Sequence, residues 1–272
     1  MRGLALLVGR VRAFVARDFQ LMLSYRLQFF FRVLQIFFIV TTLFFISQIF
    51  SGQAVTAFAQ WRNPLAAWLT GLAVLNYFMT GFSSLATAIR SEQMQGTLEG
   101  VLMTPINVPT LIVASSAWDF LQASLFSSLY LVIGWLFFGI TYQGNFLLAL
   151  LILLLTTLVL ASVGILSASF AMVFKRGDPF AILLGTGATL FSGVLFPTQL
   201  LGTGFGYISR LLPTTYGVDG IRRVLLQGQS FAEVREPIMT LCIFLAVLLP
   251  FSLWVFARAV RRAKREGSLV QY

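Results

Sequence analysis

Few side chains in this sequence could carry out chemistry. The 272 residues include no histidine, a single cysteine and nine Asp or Glu side chains. These counts exclude zinc binding by His or Cys, a histidine general base and an intramolecular disulfide. No Gly-Lys-Ser or Gly-Lys-Thr sequence occurs, so the chain has no P-loop of its own. We therefore expect this chain to bind no metal and no cofactor and to be no enzyme.

Two of the nine acidic residues, Glu92 and Glu99, lie seven positions apart in one short segment. At 100° per residue they share one face of a helix that Ser91 can cap and Pro105 ends. The opposite face is apolar and carries Met94, Leu98, Val101 and Leu102. This pattern predicts an amphipathic helix with an acidic stripe, and it also fits a plain surface helix.

The elements that position these residues are membrane helices. Apolar residues make up 58% of the chain and charged residues 10%, and the mean hydropathy is +0.88. Soluble domains carry roughly 25% charged residues, so we predict an all-α integral membrane protein. Six stretches reach the roughly 20 apolar residues that cross a bilayer, although the fifth is short and can break near Pro197. They cover residues 33–50, 66–89, 111–140, 146–174, 180–196 and 237–257.

The basic residues predict the orientation. Of the 19 Lys and Arg, 14 lie before the first stretch, in the second and fourth connections or after the last stretch. The positive-inside rule then places both termini in the cytoplasm, and the net charge of +10 reflects topology rather than nucleic-acid binding. The prediction is a single transmembrane domain over 1–272, with a cytoplasmic segment at 1–32, a cytoplasmic loop at 90–109 and a basic tail at 258–272.

The cytoplasmic N-terminal segment has a helical pattern of its own. Leu4, Leu7, Val8, Val11 and Val15 recur at helical spacing. Arg2, Arg10 and Arg17 lie on the other side, although Arg12 does not. The pattern predicts an interfacial amphipathic helix that lies on the inner leaflet and contacts lipid.

Asp119 is the only charged residue within the six stretches. A carboxylate inside the membrane is a functional candidate by default. The third stretch is longer than a bilayer needs, so Asp119 can equally be an interfacial residue. Small residues also recur four apart in the fourth stretch, as in Gly164 and Ala168, and they permit close packing within the chain or against a second copy.

The segment 197–236 is too apolar for an ordinary loop. We predict two short re-entrant helices on the outer side, split at Pro213, and an amphipathic outer cap is the alternative. Asp219 stands at i+3 and i+4 spacing from Arg222 and Arg223, which favours a local ion pair. The Gly-x-Gly-x-Gly run at 202–206 lacks the context of a nucleotide site or of a channel filter, so we interpret it as a flexible turn.

Two groups of residues resemble a known family. The first is Arg90, Glu92, the run Gly96, Thr97, Leu98 and Glu99, then Leu102, Thr104 and Pro105. The second is Gly193, Phe196, Pro197, Pro213, Tyr216, Asp219, Arg222 and Gly228. Their order and spacing resemble the permease subunits of type-2 ATP-binding-cassette (ABC) exporters over nearly the whole chain.

The resemblance implies a cell-membrane subunit that works as a homodimer or heterodimer with two separate cytoplasmic ATPase subunits, which would hold ATP and Mg²⁺. It implies a coupling helix at the ATPase and an outer gate. The coupling residues would be Glu92, Met94, Gly96, Thr97, Leu98, Glu99, Leu102 and Pro105. The outer gate would comprise Phe196, Pro197, Pro213, Tyr216, Asp219 and Arg222.

The cargo implied is a hydrophobic small molecule, a drug or a lipid, and the alternative is a polysaccharide or glycolipid exported by the same architecture. A stand-alone channel or carrier is a further alternative from another class. It would need charged residues deep in several spans, and only Asp119 is present, so the sequence disfavours it.

Overall fold

The computed structural model describes residues 15–16, 19–20, 26–52, 61, 63–94, 108–174 and 179–266, and within these ranges the regular structure is helical throughout. Five helices are long and apolar enough to cross a membrane. They are α1 (Arg26–Gly52), α2 (Pro64–Met94), α3 (Val108–Phe138), α4 (Phe146–Phe174) and α8 (Arg235–Glu266). The prediction of an all-α membrane protein is confirmed.

The shorter helices lie between α4 and α8. They are α5 (Pro179–Phe191), a 3₁₀ turn (Thr198–Leu201), α6 (Gly202–Leu211) and α7 (Pro213–Gln227). The 13 residues of α5 extend about 20 Å, less than the roughly 30 Å of a bilayer core, so the sixth span is not confirmed. The predicted split at Pro213 is confirmed, because α6 ends at Leu211 and Pro213 opens α7.

Helix α4 is the centre of the bundle and packs against α2, α7 and α8, while α3 packs on α2 and α1 on α3. Small residues allow the closest of these crossings. A Cβ at Gly164 would lie 2.4 Å from the carbonyl oxygen of Phe82, and one at Gly81 would lie 3.2 Å from that of Thr157. Gly164 is therefore used for packing within the chain.

Helix α5 and the bend that follows it at 192–196 run antiparallel to α2. A Cβ at Gly185 would lie 3.5 Å from the Met79 sulfur. Nearer the start of α2, the Trp68 indole donates to the carbonyl of Leu195 at 2.7 Å. The residues from 185 to 195 thus follow α2 back towards its first turn.

Three sequence predictions need correction. Helix α2 continues through Ser91 to Met94, so Ser91 does not begin a separate helix. Helix α1 begins at Arg26 rather than near residue 33, and Arg32 packs over the Phe126 ring with 4.1 Å between guanidinium carbon and ring centroid. The glycine run at 202–206 forms the first half of α6 instead of a flexible turn.

Candidate functional site

Helix α7 carries four of the six predicted outer-gate residues: Pro213, Tyr216, Asp219 and Arg222. Pro213 lies at its first turn, and Gly228 ends it with φ of 66°, in the left-handed region that favours glycine. The apolar face of α7 is part of the central core, where it meets α2, α4 and α8. That face carries Val218, Ile221, Val224 and Leu225. Helix α7 is therefore a packed element of the bundle rather than a peripheral flap.

Arg222 lies on the buried face of α7, with only 9% of its surface exposed. Its Nε and Nη2 atoms donate to the carbonyl of Ala67 in the first turn of α2, at 3.1 and 2.7 Å. Nη2 also donates to the carbonyl of Val194 at 3.0 Å, and Nη1 donates to that of Gly193. One side chain thereby joins α7, α2 and the bend at 192–196.

The bend has a backbone that needs these donors. The last α-helical bond of α5 runs from the Ser192 amide to the carbonyl of Ala188. Beyond it, the consecutive carbonyls of Gly193, Val194 and Leu195 accept from Arg222, Arg222 and Trp68 respectively. Irregular backbone inside a membrane protein requires such internal partners. Arg222 and Trp68 are therefore what allows the fifth stretch to unwind here.

The surroundings of Arg222 are shaped to hold a cation. Trp61 lies 4.6 Å from the guanidinium carbon, in cation–π geometry. A Cβ at Gly71 would lie 2.7 Å from Nη2, so glycine leaves room for the side chain. Burial lowers the pKa of Arg222 to about 10, and the nearby negative charge of Asp219 opposes this effect. Arg222 is still a cation at pH 7.

The neighbouring Arg223 has a different environment. It forms an ion pair with Asp219 at 2.7 Å across one turn, and the two side chains are 35% and 49% exposed. The predicted local ion pair is therefore confirmed for Arg223, whereas Arg222 bonds to backbone carbonyls.

The other outer-gate residues link α6 to α7 or lie next to the bend. The Tyr216 hydroxyl donates to the carbonyl of Arg210 at 2.9 Å, across the turn between the two helices. Pro197 is buried and precedes the 3₁₀ turn, and Phe196 beside it is half-buried. Helix α6 is the exposed member of the pair, because its apolar side chains Phe205, Tyr207 and Leu211 are 56%, 67% and 73% exposed.

A cavity of about 1270 Å³ lies at this end of the bundle, which we call the cavity end. Its walls come from the residues before and within the first turn of α2, from the connection between α3 and α4, and from segment 192–237. Arg222, Asp219 and Tyr216 line it together with Trp61 and Gln143. The structure thus gathers three separate parts of the chain around a polar space.

Two of the predicted coupling residues, Glu92 and Met94, lie at the opposite end of α2. The backbone of Glu92 and Met94 forms the last turn of that helix. Gly96, Thr97, Leu98, Glu99, Leu102 and Pro105 lie outside the described residues, as do the basic loop at 175–178 and the N-terminal residues 1–14. The role of this loop stays a prediction.

Asp119 lies in the first half of α3 and is half-buried. The 31 residues of α3 extend about 46 Å, well beyond a bilayer core of roughly 30 Å. Helix α3 is therefore long enough for Asp119 to lie at the membrane interface. Among the described residues, no group of three or more acidic or cysteine side chains could hold a metal ion.

Sequence reasoning missed several residues of this site. Trp61, Trp68 and Gly71 lie in or before the first turns of α2, yet they contact Arg222 or the bend. Gln143 and Gln229 line the cavity from two further connections. The available signal was indirect: tryptophan near the end of a span is typical of a membrane interface, and glycine is typical of a close approach between helices.

Comparison with known proteins gives a consistent result. Residues 10–226 match the ABC-2 type transporter family. Nodulation protein J of Rhizobium leguminosarum bv. viciae is 30% identical over 166 residues, which cover 61% of this chain and 63% of that protein. Nodulation protein J of Rhizobium meliloti (strain 1021) is 28% identical over 189 residues, covering 69% of this chain and 71% of the relative. The first match thus spans less than two thirds of the relative's length.

Proposed function

The chain belongs to the ABC-2 type transporter family, and from this premise we propose that it forms the translocation path of an ABC exporter and couples that path to ATP hydrolysis by a separate subunit. It is a multi-pass membrane protein and the membrane subunit of an ABC transporter. We place it in the cell membrane with both termini in the cytoplasm, so that the cavity end faces outward.

One observation carries the coupling proposal. Helix α2 is continuous over 31 residues and links the two sites that coupling must connect. Its first turn holds Arg222 of α7 through the carbonyl of Ala67, and its last turn carries Glu92 and Met94. A continuous helix of about 46 Å can transmit a displacement at one end to the other.

In this mechanism the nucleotide state of the ATPase biases the arrangement of the spans. The loop at 90–109 seats on the ATPase, and Glu92 and Glu99 meet basic residues there. Movement of the loop shifts α2, and α2 moves the bend at 192–196 and α7 through Arg222 and Trp68. The subunit contributes no nucleotide site, so ATP and Mg²⁺ are held by the partner, and a second permease copy completes the path.

For the cargo, the exposed apolar faces of the spans support a hydrophobic small molecule, a drug or a lipid as the first candidate. A polysaccharide or glycolipid is the second candidate, and the polar lining of the cavity favours it. Both are compatible with the same architecture, and a stand-alone channel or carrier is not supported by the family match.

The experiment is affinity purification of the tagged chain in mild detergent, with mass spectrometry of co-eluting proteins. We expect a cytoplasmic protein that carries a P-loop to elute with the wild type and to hydrolyse ATP. Glu99→Arg should reduce its recovery at least tenfold, since reversing a charge at an interface costs several kcal/mol. Membrane insertion should be unchanged.

Glu266→Arg is the matched control, because it reverses a carboxylate at the predicted inner end of α8. It should leave recovery of the ATPase unchanged. Equal recovery with Glu99→Arg and wild type would refute the coupling site, and the absence of any P-loop protein from the wild-type eluate would refute the exporter function itself.

A further inference from the structure

We propose that the cavity at the outward end binds a neutral, polyhydroxylated head group, such as the sugar of a glycolipid or of an oligosaccharide. That this ligand is the exported cargo rests on the proposed function, whereas the binding itself does not. The proposal comes from the chemistry of the cavity walls.

The first argument is the kind of hydrogen-bonding group on the walls. Five carboxamide side chains line the cavity: Asn63, Gln143, Gln199, Gln227 and Gln229. Each carboxamide both donates and accepts, and so does a hydroxyl group. Five hydroxyl side chains also line it: Thr141, Ser192, Thr198, Thr215 and Tyr216. Such a wall complements a ligand whose own groups donate and accept at many points.

The second argument is that some of these groups lack a protein partner. The Ser192 hydroxyl lies on a residue that is only 1% exposed, and among the described residues no protein group bonds to it. The Gln229 Oε1 atom is likewise buried without a protein partner, while its Nε2 donates to Gln227 at 3.1 Å. A buried polar atom without a partner is unfavourable, so these two atoms favour a ligand hydroxyl that reaches them when the wall side chains shift.

The third argument is charge. The walls carry three arginines and two carboxylates, but these are largely committed within the protein. Arg223 is paired with Asp219, and the N–H groups of Arg222 donate to backbone carbonyls. Arg210 and Glu236 carry opposite charges, so together they add no net charge to the walls. The cavity therefore lacks the cluster of available cations that recognises a phosphate or a sulfate.

Size and shape also fit. The volume of about 1270 Å³ exceeds the range of roughly 300–1,000 Å³ typical of sites for drug-sized ligands, so more than one sugar ring can enter. Trp61 and Tyr216 place aromatic rings on the wall, which can pack against the apolar faces of sugar rings.

The test uses the full chain in phosphatidylcholine nanodiscs, with tryptophan fluorescence and calorimetry as readouts. The soluble probes are maltotetraose and cellotetraose, and a second arm adds digalactosyldiacylglycerol to the nanodisc. Saturable binding in either arm supports the proposal. Binding in the first arm shows that a free saccharide suffices, and binding in the second arm alone shows that the sugar must be attached to lipid.

The variant Gln227→Ala/Gln229→Ala removes two wall amides and should weaken binding about 30-fold, because two hydrogen bonds of about 1 kcal/mol each give about 2 kcal/mol and 1.4 kcal/mol is tenfold. Gln35→Ala, on the exposed face of α1, is the matched control and should bind like the wild type. Thermal unfolding of all three proteins checks that they are folded.

Three outcomes would overturn the proposal. They are no saturable binding of any saccharide probe to the wild type, equal binding by the double variant, or displacement of the probe by sulfate or phosphatidylglycerol. Recovery of the ATPase subunit in the same preparations separates this result from the exporter function. Saccharide binding can fail while the ATPase still co-elutes, and the reverse can also occur.

Discussion

The bonds of Arg222 make its replacement the sharpest test of the structure. In Arg222→Met the side chain keeps its length but loses four hydrogen bonds, and the carbonyls of Gly193 and Val194 lose their donors. Each unpaired buried carbonyl costs about 1–3 kcal/mol, and release of the buried cation offsets part of this cost. We expect a net loss of about 3 kcal/mol in the free energy of unfolding, close to the lower end of the range for broken buried charge interactions.

The assay is thermal unfolding in nanodiscs by scanning fluorimetry. A change of 1 kcal/mol shifts the Tm of a domain of this size by about 2–4 °C, so Arg222→Met should unfold roughly 6–12 °C below the wild type. Limited proteolysis provides a second readout. Trypsin should cleave faster after the exposed Arg210, because α6 and α7 are held less firmly to α2 and the bend.

Arg223→Met is the control, one residue away. It removes a single half-exposed ion pair, which contributes about 0.3–0.5 kcal/mol, so the Tm should move by about 1 °C. Similar Tm shifts in the two variants, or an unchanged Tm in Arg222→Met, would refute the assigned role of Arg222.

The remaining predictions concern packing, topology and pH. Gly217→Leu should lower the free energy of unfolding by about 1–3 kcal/mol, because a Cβ there would lie 2.5 Å from the Thr156 hydroxyl and 2.8 Å from the Phe78 ring. Gly206→Ala is the control and should have no such cost, because a Cβ at that position would meet no atom within 4 Å. Equal unfolding curves for the two variants would contradict this. The orientation can be tested by labelling single cysteines in a Cys242→Ser background with a membrane-impermeant maleimide. Gln227→Cys, on the outer side, should be labelled on intact cells, and Arg265→Cys, on the cytoplasmic side, only after lysis. The reverse pattern would invert the proposed orientation. Hydrogen bonds from the Ser230 amide and hydroxyl lower the pKa of Glu233, so its stabilising effect is present above pH 4.5 and is lost as the pH falls through the lowered pKa. Glu233→Gln should flatten the dependence of Tm on pH in this acidic range. An unaltered dependence would contradict the assignment.

The sequence predicted the helices that follow hydropathy closely. The bounds of α4 agree with the predicted stretch at 146–174 because Asn145 and the charged residues after Phe174 interrupt the apolar run at both ends. Helices α1 and α2 extend beyond their predicted stretches, because a helix satisfies its own backbone and can continue past the bilayer through Arg26 or Ser91. Hydropathy detects only the part that lipid requires.

The site was predictable where the contacts are local. The pairing of Asp219 with Arg223 follows from i+4 spacing on a helix. The contacts of Arg222 with Ala67 and Gly193 span 155 and 29 residues and end on backbone carbonyls, which have no sequence signature. For the same reason, spacing alone could not assign different roles to two adjacent arginines.

These contacts also locate the part of the outer segment that is able to move. Three consecutive carbonyls of the bend are bonded to Arg222 and Trp68, and α7 is buried against α2, α4 and α8, so these elements must move together or break several bonds at once. Helix α6 is held to α7 mainly by bonds across one turn, and its apolar side chains are exposed. If the outer segment gates a path, we expect α6 to be the element that opens, because α7 is bonded to α2 and packed in the same frame.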